Sequence, residues 1–277
     1  MQSAVACAEA SCPTTRLPCP TAVRAQAAAT ALDRISVALG GRSVWPTFAR
    51  ALGELMHSAD WRARRAGLLG LSLIGEGCRK VLAPQIKDVI KGVLPSVADP
   101  HPRVRHAALR CLGQLIVDFS DPHEGGDEAA IGEATAGKGT GGGGSGAGSR
   151  AKSSRAVVKS IQEAVGEPLL RTLIGAAANA ALAPRTRGLA CAALISYVGG
   201  DSVDADMLRP QLRPLLEALF SVVTGVTKPQ PREAAMTAIG CVAQAAGDDF
   251  GAFYPIFCPI AKGIIQSATG KEESMLR

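Results

Sequence analysis

Apolar residues recur at three- and four-residue spacing in a series of segments along the 277-residue chain, and polar turns separate these segments. This spacing places the apolar residues of each segment on one face of an α-helix, so the pattern predicts amphipathic helices. Five segments are predicted as the first helices of helical hairpins, several with proline near the first turn: Val44–His57, Pro84–Ala98, Val157–Ala180, Arg209–Thr224 and Phe253–Ala268.

The predicted second helices repeat one motif, Arg-x-Arg followed by small and aliphatic residues. It begins at Arg62 and again at Arg103, 41 residues later. A third copy begins at Arg185, after an insertion, and a weaker fourth copy begins at Arg232. A period near 41 with two helices per unit is typical of HEAT or armadillo repeats. The sequence therefore predicts an all-α fold, a right-handed solenoid of about five HEAT-type hairpins.

The repeat pattern divides the chain into four stretches. Residues 1–20 carry no repeat signal and are expected to be disordered, and residues 21–119 hold HEAT repeats that open with a lone second helix, Thr21–Leu39. Residues 120–156 are rich in Gly and Ser, which predicts a flexible, disordered insertion. Residues 157–277 hold the remaining repeats, the last of them truncated. Because both ends expose unpaired repeat faces, we interpret the chain as a fragment of a longer protein.

Composition agrees with this fold and limits the partners. Only 4% of residues are aromatic, and small residues such as Ala66, Ala107 and Ala190 recur at equivalent positions, where they let helices approach closely. The net charge of +6 is too evenly spread along the sequence to predict direct nucleic-acid binding. The apolar stretches are shorter than the roughly 18 residues of a membrane span, so no membrane insertion is expected.

The residues do not form a catalytic or metal-binding pattern. Cys7, Cys12 and Cys19 lack a neighbouring histidine or Cys-x-x-Cys pair, and the other five cysteines lie in apolar helical patterns, which favours a reducing compartment. None of the histidines has metal-ligand spacing: His57, His101, His106 and His123. The sequence therefore predicts a binding protein with no cofactor, and not an enzyme.

Three segments carry a resemblance to a known family. They are the run DWRARRA from Asp60, the run IGEGC from Ile74 and the run DPHPRVRHAALRCLGQLIVDF from Asp99 to Phe119. Together they resemble the central HEAT repeats of the importin beta (karyopherin) family, of the importin beta-3 or importin-5 type. The similarity continues more faintly at Ala192–Tyr197 and from Phe253 onward.

The resemblance implies a nuclear transport receptor that shuttles between cytoplasm and nucleus. Such a receptor holds the localisation signals of cargo proteins on its inner helices and nucleoporin Phe-Gly repeats on its outer helices. The small GTPase Ran controls it, and the family's main Ran contacts lie in N-terminal repeats that are expected to lie outside this chain. The chain is therefore expected to represent the cargo-binding middle of the receptor.

The resemblance also implies cargo-binding residues. Glu76 and Asp118, 42 residues apart, resemble the acidic positions with which the family holds lysines of a localisation signal. Ser196 stands where the family often has asparagine. Carboxylates late in a helix are equally compatible with a solvated surface, and this alternative stays open for Glu76 and Asp118.

The arginines near the starts of the second helices are expected to be structural. Arg64, Arg105 and Arg187 are predicted to bind carboxylates of neighbouring turns. The six-residue spacing of Asp99 and Arg105 matches the ladder of Asp and Arg side chains that joins neighbouring HEAT units. Trp61, beside a turn, is interpreted as a packing residue, with stacking on a ligand as the alternative.

The net charge departs from the family, whose members are usually acidic. A second hypothesis is therefore a HEAT-repeat scaffold of a multiprotein complex unrelated to transport.

Overall fold

The computed structural model describes residues 20–120, 165–199 and 205–267, and every regular element within these ranges is helical. The first helices of the hairpins are α2 (Gly41–Met56), α4 (Arg79–Leu82) continued by α5 (Ile86–Val93), α7 (Glu167–Ala178), α9 (Ala205–Leu208) continued by α10 (Leu212–Gly225), and α12 (Tyr254–Ser267). The second helices are α1 (Pro20–Leu39), α3 (Trp61–Ile74), α6 (Pro102–Ser120), α8 (Pro184–Val198) and α11 (Pro229–Ala246). Short 3-10 turns cover Ala83–Gln85, Leu94–Ala98, Arg209–Gln211 and Gly247–Phe253.

The all-α repeat fold predicted from the sequence is confirmed, with one local difference. The segment Pro84–Ala98, expected to be one helix, contains α5 flanked by two 3-10 turns, and α4 precedes it. Pro84 and Pro95 lie in those turns, where the missing N–H of proline costs no interior α-helical hydrogen bond. The proposed stretches 1–20 and 120–156, and the first part of Val157–Ala180, lie largely or wholly outside the described residues. The four-stretch division stays a prediction.

Successive second helices pack on one another and form the continuous core of the array. α3 contacts α6, α6 contacts α8, and α8 contacts α11. Small residues at these contacts are fully buried, among them Ala108, Ala190 and Ala235. Large aliphatic side chains fill the rest of the core, including Leu71 and Leu112, and each contributes about 2 kcal/mol through burial. The repeated small residues therefore set the close spacing that the composition predicts.

The second helices begin in similar ways. Asp60 caps α3, where its Oδ1 accepts a hydrogen bond of 2.9 Å from the N–H of Arg62. Proline occupies the first position of α6, α8 and α11, where its missing N–H would have no intrahelical acceptor. Because each start is fixed, the residues that follow come to equivalent places in every repeat. None of the described helices combines the length and apolarity that a membrane crossing requires.

Candidate functional site

The second helices share one exposed stripe. On α6 this stripe consists of Arg103, the half-buried His106, Arg110, Gln114 and Val117, which follow the three- and four-residue spacing of one helix face. The corresponding stripe on α3 begins at Arg62 and leads to Glu76, and the stripe on α8 begins at Arg185 and leads to Ser196. We call these three stripes together the second-helix surface. Each stripe is about 20 Å long, because a helix rises 1.5 Å per residue.

Glu76 and Asp118 lie at the same end of this surface but in different environments. Glu76 is exposed and lies in the turn just after α3, which ends at Ile74. Asp118 lies within α6 and is only 9% exposed. Its Oδ1 accepts a hydrogen bond of 2.7 Å from Nε2 of Gln114, and its Oδ2 packs against Gly75. The structure thus brings one open and one largely covered carboxylate together.

Counted from the helix start, Ser196 lies about one turn earlier in α8 than Asp118 does in α6. It is the thirteenth residue of α8, and Gln114 is the thirteenth residue of α6. The Ser196 hydroxyl donates a hydrogen bond of 3.2 Å to the carbonyl oxygen of Ala192. Ser196 is therefore half-exposed on the same stripe, with its hydroxyl turned back to its own helix.

Asp33 is a further carboxylate that the sequence reasoning missed. It is a half-buried residue of α1, the second helix that precedes α3. Asp33, Glu76 and Asp118 are separated by 43 and 42 residues. That spacing is one repeat in each case, so continuing the repeat backward from Glu76 would have found Asp33.

Arg64 and Asp99 form the best-defined ion pair of the array. Nε of Arg64 donates to Oδ2 of Asp99 at 2.8 Å, and its NH2 group donates to Oδ1 at 3.1 Å. The two side chains are only 18% and 9% exposed. NH1 of Arg64 also donates to the carbonyl oxygens of Ser58 and Ala59, at 2.8 and 3.0 Å. The pair joins the turn before α3 to the turn before α6, and it lowers the pKa of Asp99.

Arg105 differs from the sequence prediction that it binds a carboxylate. Its NH1 donates to the carbonyl oxygens of Asp99 and Pro100, at 2.8 and 3.0 Å, as Arg64 does in its own turn. Its Nε is buried and has no hydrogen-bond partner among the described residues. Arg105 borders an open cleft of about 590 Å³ between the second and third hairpins.

Arg105 has no carboxylate partner in the described ranges because of the residue that ends α7, the first helix of the third hairpin. Asp99 follows the 3-10 turn that leads from α5, and its Oδ1 accepts the N–H of His101 at 2.8 Å. Asn179 caps α7 in the same way, with its Oδ1 accepting the N–H of Ala181 at 2.9 Å. An asparagine in this arrangement offers Arg105 an amide in place of a second carboxylate oxygen. The ladder is therefore interrupted between the second and third hairpins.

Replacing Asn179 by aspartate is expected to complete the ladder and to raise the free energy of unfolding by about 1 kcal/mol, because the unpaired Nε of Arg105 gains a charged acceptor. Urea unfolding of the two proteins measures the change. The matched control makes the same replacement in an Arg105→Gln background, where we expect no gain. An equal gain in both backgrounds would contradict the assignment.

Arg187 also binds no carboxylate within the part of the chain that the structure describes, in contrast to the prediction. It is only 5% exposed. Its Nε donates to the carbonyl oxygen of Ala177 at 2.7 Å, and its NH2 group donates to the hydroxyl of Ser221 at 2.9 Å. A hydroxyl on α10 thus takes the place of a carboxylate and still joins one hairpin to the next.

Trp61 packs between repeats. Its ring stacks on His101 with centroids 3.9 Å apart and ring planes 4° from parallel. The guanidinium groups of Arg62 and Arg103 lie 4.9 and 5.5 Å from the centre of the Trp61 ring. These contacts link the starts of α3 and α6, as the packing interpretation of Trp61 requires.

His106 is half-buried beside several cations. Burial, together with Arg185, Arg110 and Arg65, lowers the pKa of His106 below its usual value. The unfolded chain therefore binds a proton at His106 more readily than the folded chain does. This difference favours the folded state when His106 is neutral, and the benefit is lost as the pH falls from about 6.5 through the folded pKa.

His106→Gln is expected to reduce the loss of stability on acidification from about pH 7 to about pH 5, because the replaced residue no longer takes up a proton on unfolding. Urea midpoints across this range measure the effect. His57→Gln is the control, since His57 is exposed and bonds only the carbonyl oxygen of Gly53, at 2.8 Å. A His106→Gln protein with the same pH dependence as the unaltered chain would contradict the prediction.

No group of three or more metal-ligating side chains occurs among the described residues. Cys78, Cys111 and Cys191 are buried free thiols, and Cys241 and Cys258 are half-buried. Burial raises the pKa of Cys191 to about 12 and raises that of Cys111 further. Cys111 and Cys191 therefore serve as small core residues, and burial disfavours their thiolate forms. Cys7, Cys12 and Cys19 lie outside the described residues.

Comparisons with known proteins agree with this architecture. A family model described as a HEAT-like repeat matches residues 61–115, which cover α3 to α6. Importin subunit beta-3 of Saccharomyces cerevisiae is 27% identical over 247 residues, which are 89% of this chain and 19% of that protein. The chain thus spans about a fifth of the length of this relative.

Two solved structures are similar over most of the chain. The crystal structure of Kap121p bound to Pho4p has a TM-score of 0.71 at 26% identity and covers 95% of this chain and 21% of that one. A Kap121p variant with an aspartate, a glutamate and a second aspartate replaced by lysine, in that chain order, has a TM-score of 0.70 at 25% identity. It covers 92% of this chain and 21% of its own. Repeat architecture, sequence and structure agree that the chain is similar to proteins of the importin beta family, of the importin beta-3 type.

Proposed function

We propose that this chain is the cargo-binding part of a nuclear transport receptor and that it holds basic localisation signals on its second-helix surface. The observation that carries the proposal is the pair Glu76 and Asp118 at one end of that surface. Glu76 lies in the segment 61–115 that the HEAT-like family model matches, and Asp118 follows that segment on α6. An extended peptide that crosses successive second helices would meet one carboxylate per repeat. Lysine ammonium groups are the natural partners of such a row.

The acidic row extends over three repeats when Asp33 is included. Asp33, Glu76 and Asp118 occur in the order Asp, Glu, Asp, which is also the order of the three residues replaced by lysine in the Kap121p variant. This agreement supports the assignment of the row as a binding feature. Adjacent second helices lie about 10 Å apart, so lysines about three residues apart in an extended peptide would match it.

The three carboxylates have different roles in this proposal. Glu76 is exposed and can pair with a lysine directly. Asp118 is covered by Gln114 and Gly75, so it contributes a fixed negative charge close to the peptide. It also holds the amide of Gln114 by accepting a hydrogen bond from its Nε2. Ser196 adds a hydroxyl farther along the surface, where it can bond peptide backbone if it releases the carbonyl oxygen of Ala192.

The remaining features of the receptor follow from the family and belong to the same proposal. The complete protein would bind nucleoporin Phe-Gly repeats, respond to Ran outside this chain and shuttle between cytoplasm and nucleus. It would act by binding alone, without a catalysed reaction. Kap121p, a relative, is bound to Nup53p and to Pho4p in two crystal structures, and this binding motivates the expectation here.

The test is the affinity of a fluorescent lysine-rich signal peptide for the unaltered chain and for Glu76→Lys. We expect the replacement to weaken binding at least about tenfold, because an attractive contact becomes a repulsive one. Asp118→Asn, which keeps the shape of the buried side chain, is expected to weaken binding less. Glu54→Lys and Asp88→Lys on first helices are the controls, since both positions are exposed and lie away from the second-helix surface.

Equal effects of the Glu76 and control replacements would mean that the peptide responds to net charge and not to this site. Unchanged affinity in Glu76→Lys would return Glu76 to the role of a solvated surface residue. The receptor assignment itself fails if the complete protein binds neither a lysine-rich signal nor Ran in its GTP-bound form.

A further inference from the structure

The opposite end of the second-helix surface is strongly basic. Arg65 on α3, Arg103 and Arg110 on α6, and Arg185 on α8 are all exposed, and His106 lies half-buried among them. We call these five residues the basic cluster. They come from three successive hairpins, and Arg103 and Arg185 lie in the first turns of their helices, where the helix dipole adds further positive potential.

The members of the basic cluster are close enough to affect one another. Partial burial, followed by the charges of Arg103 and Arg110, lowers the pKa of Arg65. His106 experiences Arg185, Arg110 and Arg65 in the same way. Because α3 packs on α6 and α6 packs on α8, these side chains share one positive surface.

No carboxylate of the described residues lies within ion-pair distance of Arg65, Arg103, Arg110 or Arg185. Some exposed arginines elsewhere do have carboxylate partners. Arg171 pairs with Glu167 at 2.7 Å, and Arg209 pairs with Asp249 at 2.7 Å. Like charges that face one another without compensation destabilise a fold, so the packing of this array does not explain the cluster.

We infer that the basic cluster binds an acidic segment of a partner polypeptide, at a site separate from the acidic row formed by Asp33, Glu76 and Asp118. Arginine side chains recognise carboxylates through paired hydrogen bonds, as Arg64 and Asp99 do in this same chain. The inference goes beyond the proposed binding of basic signals and does not depend on it.

A polypeptide fits this surface better than a nucleic acid does. Single-stranded nucleic acid requires aromatic faces on which bases stack, and the ring of Trp61 is already stacked on His101 at 3.9 Å. The far end of the same surface carries the exposed carboxylate of Glu76, about 20 Å away, which would repel a longer phosphate backbone. A peptide can carry acidic residues for one end and neutral or basic residues for the other.

The spacing of the cluster defines the segment that it would take. Second helices pack about 10 Å apart, and an extended peptide covers this distance in about three residues. A segment with an acidic residue at every third position could thus contact α3, α6 and α8 in turn. A partner that carried lysines about six residues from this segment would also reach the acidic row.

The experiment measures the affinity of a fluorescent peptide of about ten residues, with glutamate at every third position and serine between, for the whole chain at low salt. We expect the variant with four Arg→Gln replacements to bind it about tenfold more weakly or worse, since each exposed ion pair contributes a factor of about two. The replacements are R65Q, R103Q, R110Q and R185Q. A serine-only peptide is expected not to bind.

The matched control removes the same number of exposed positive charges from first helices. Its replacements are K80Q, K91Q, R171Q and R213Q. Equal weakening in both variants would overturn the inference, because it would show a response to net charge alone. Tighter binding of a single-stranded oligonucleotide than of the glutamate peptide, lost in the same cluster variant, would replace the polypeptide partner by a nucleic acid.

Failure here is distinguishable from failure of the proposed function. The lysine-rich peptide should bind the cluster variant as well as, or better than, the unaltered chain. Loss of the glutamate peptide with retention of the lysine-rich peptide supports two separate sites. Absence of glutamate-peptide binding to the unaltered chain overturns this inference and leaves the acidic row unaffected.

Discussion

Gly77→Ala is expected to lower the free energy of unfolding by about 3 kcal/mol, one of the two largest effects predicted for this chain. Gly77 lies in the turn after α3 and packs against Ser36 of α1. A methyl group at this position would overlap the main-chain carbonyl group of Ser36 and also its hydroxyl. Backbone atoms on both sides leave little room for adjustment, so α1 must move away from the array.

Two measurements detect the displacement of α1. Urea unfolding gives the loss of stability, and hydrogen exchange of α1 shows whether the first hairpin detaches, because repeat arrays can open in parts. Gly53→Ala is the matched control, since Gly53 is exposed within α2 and an added methyl group there meets no atom within 4 Å. It is expected to stabilise the chain by about 1 kcal/mol. Equal stability of the Gly77→Ala and unaltered chains would contradict the close packing of α1.

Asp99→Ala is expected to cost about 3 kcal/mol, because it leaves the guanidinium of Arg64 without its partner between two hairpins. It also removes the acceptor of the His101 N–H. The same loss is expected on acidification. The pKa of Asp99 is held below its usual 3.8, so the stability that it contributes is present above that value and is lost as the pH falls through the lower folded pKa.

A double-mutant cycle with Arg64→Ala measures the coupling directly. We expect the losses in free energy of unfolding of Asp99→Ala and Arg64→Ala to add up to clearly more than the loss of the double variant. Asp60→Ala is the control, since Asp60 is exposed, pairs with Arg62 only at 3.7 Å and acts mainly as a helix cap. Its expected cost is about 1 kcal/mol. Additive effects of Asp99 and Arg64 would contradict the ion pair.

The fold could be predicted from the sequence because each hairpin repeats the same local signals. Arg-x-Arg near a helix start, small residues at fixed positions and proline at the first turn recur with a period near 41. Each signal is local, and repetition removes the uncertainty of any single copy. The helix breaks at Pro84, between α4 and α5, and at Pro95, after α5, were missed because the apolar period continues through both prolines.

The ladder could be predicted only in part. The sequence indicates arginines at equivalent positions, but it does not show which neighbouring turn each one reaches. Asp99 accepts from Arg64 of the preceding second helix, α3, with its carboxylate and from Arg105 of the following helix, α6, with its carbonyl oxygen. That choice depends on how two hairpins stack, as does the use of Ser221 by Arg187.

The charged ends of the second-helix surface also could not be identified without the structure. Along the sequence the charge of +6 is evenly spread, because Arg65, Arg110 and Arg185 are far apart in the chain. Stacking of α3, α6 and α8 brings them into one cluster, opposite Glu76. The positive net charge thus has a local origin in part, and it need not oppose the binding of a basic signal at the other end.

The most direct test of the cargo-binding account is to locate a bound lysine-rich peptide by photo-crosslinking and mass spectrometry on the unaltered chain. The account predicts crosslinks at the end of the second-helix surface that holds Glu76, Asp118 and Ser196, and an excess of unlabelled peptide should abolish them. Crosslinks confined to first helices or to the basic cluster would contradict it.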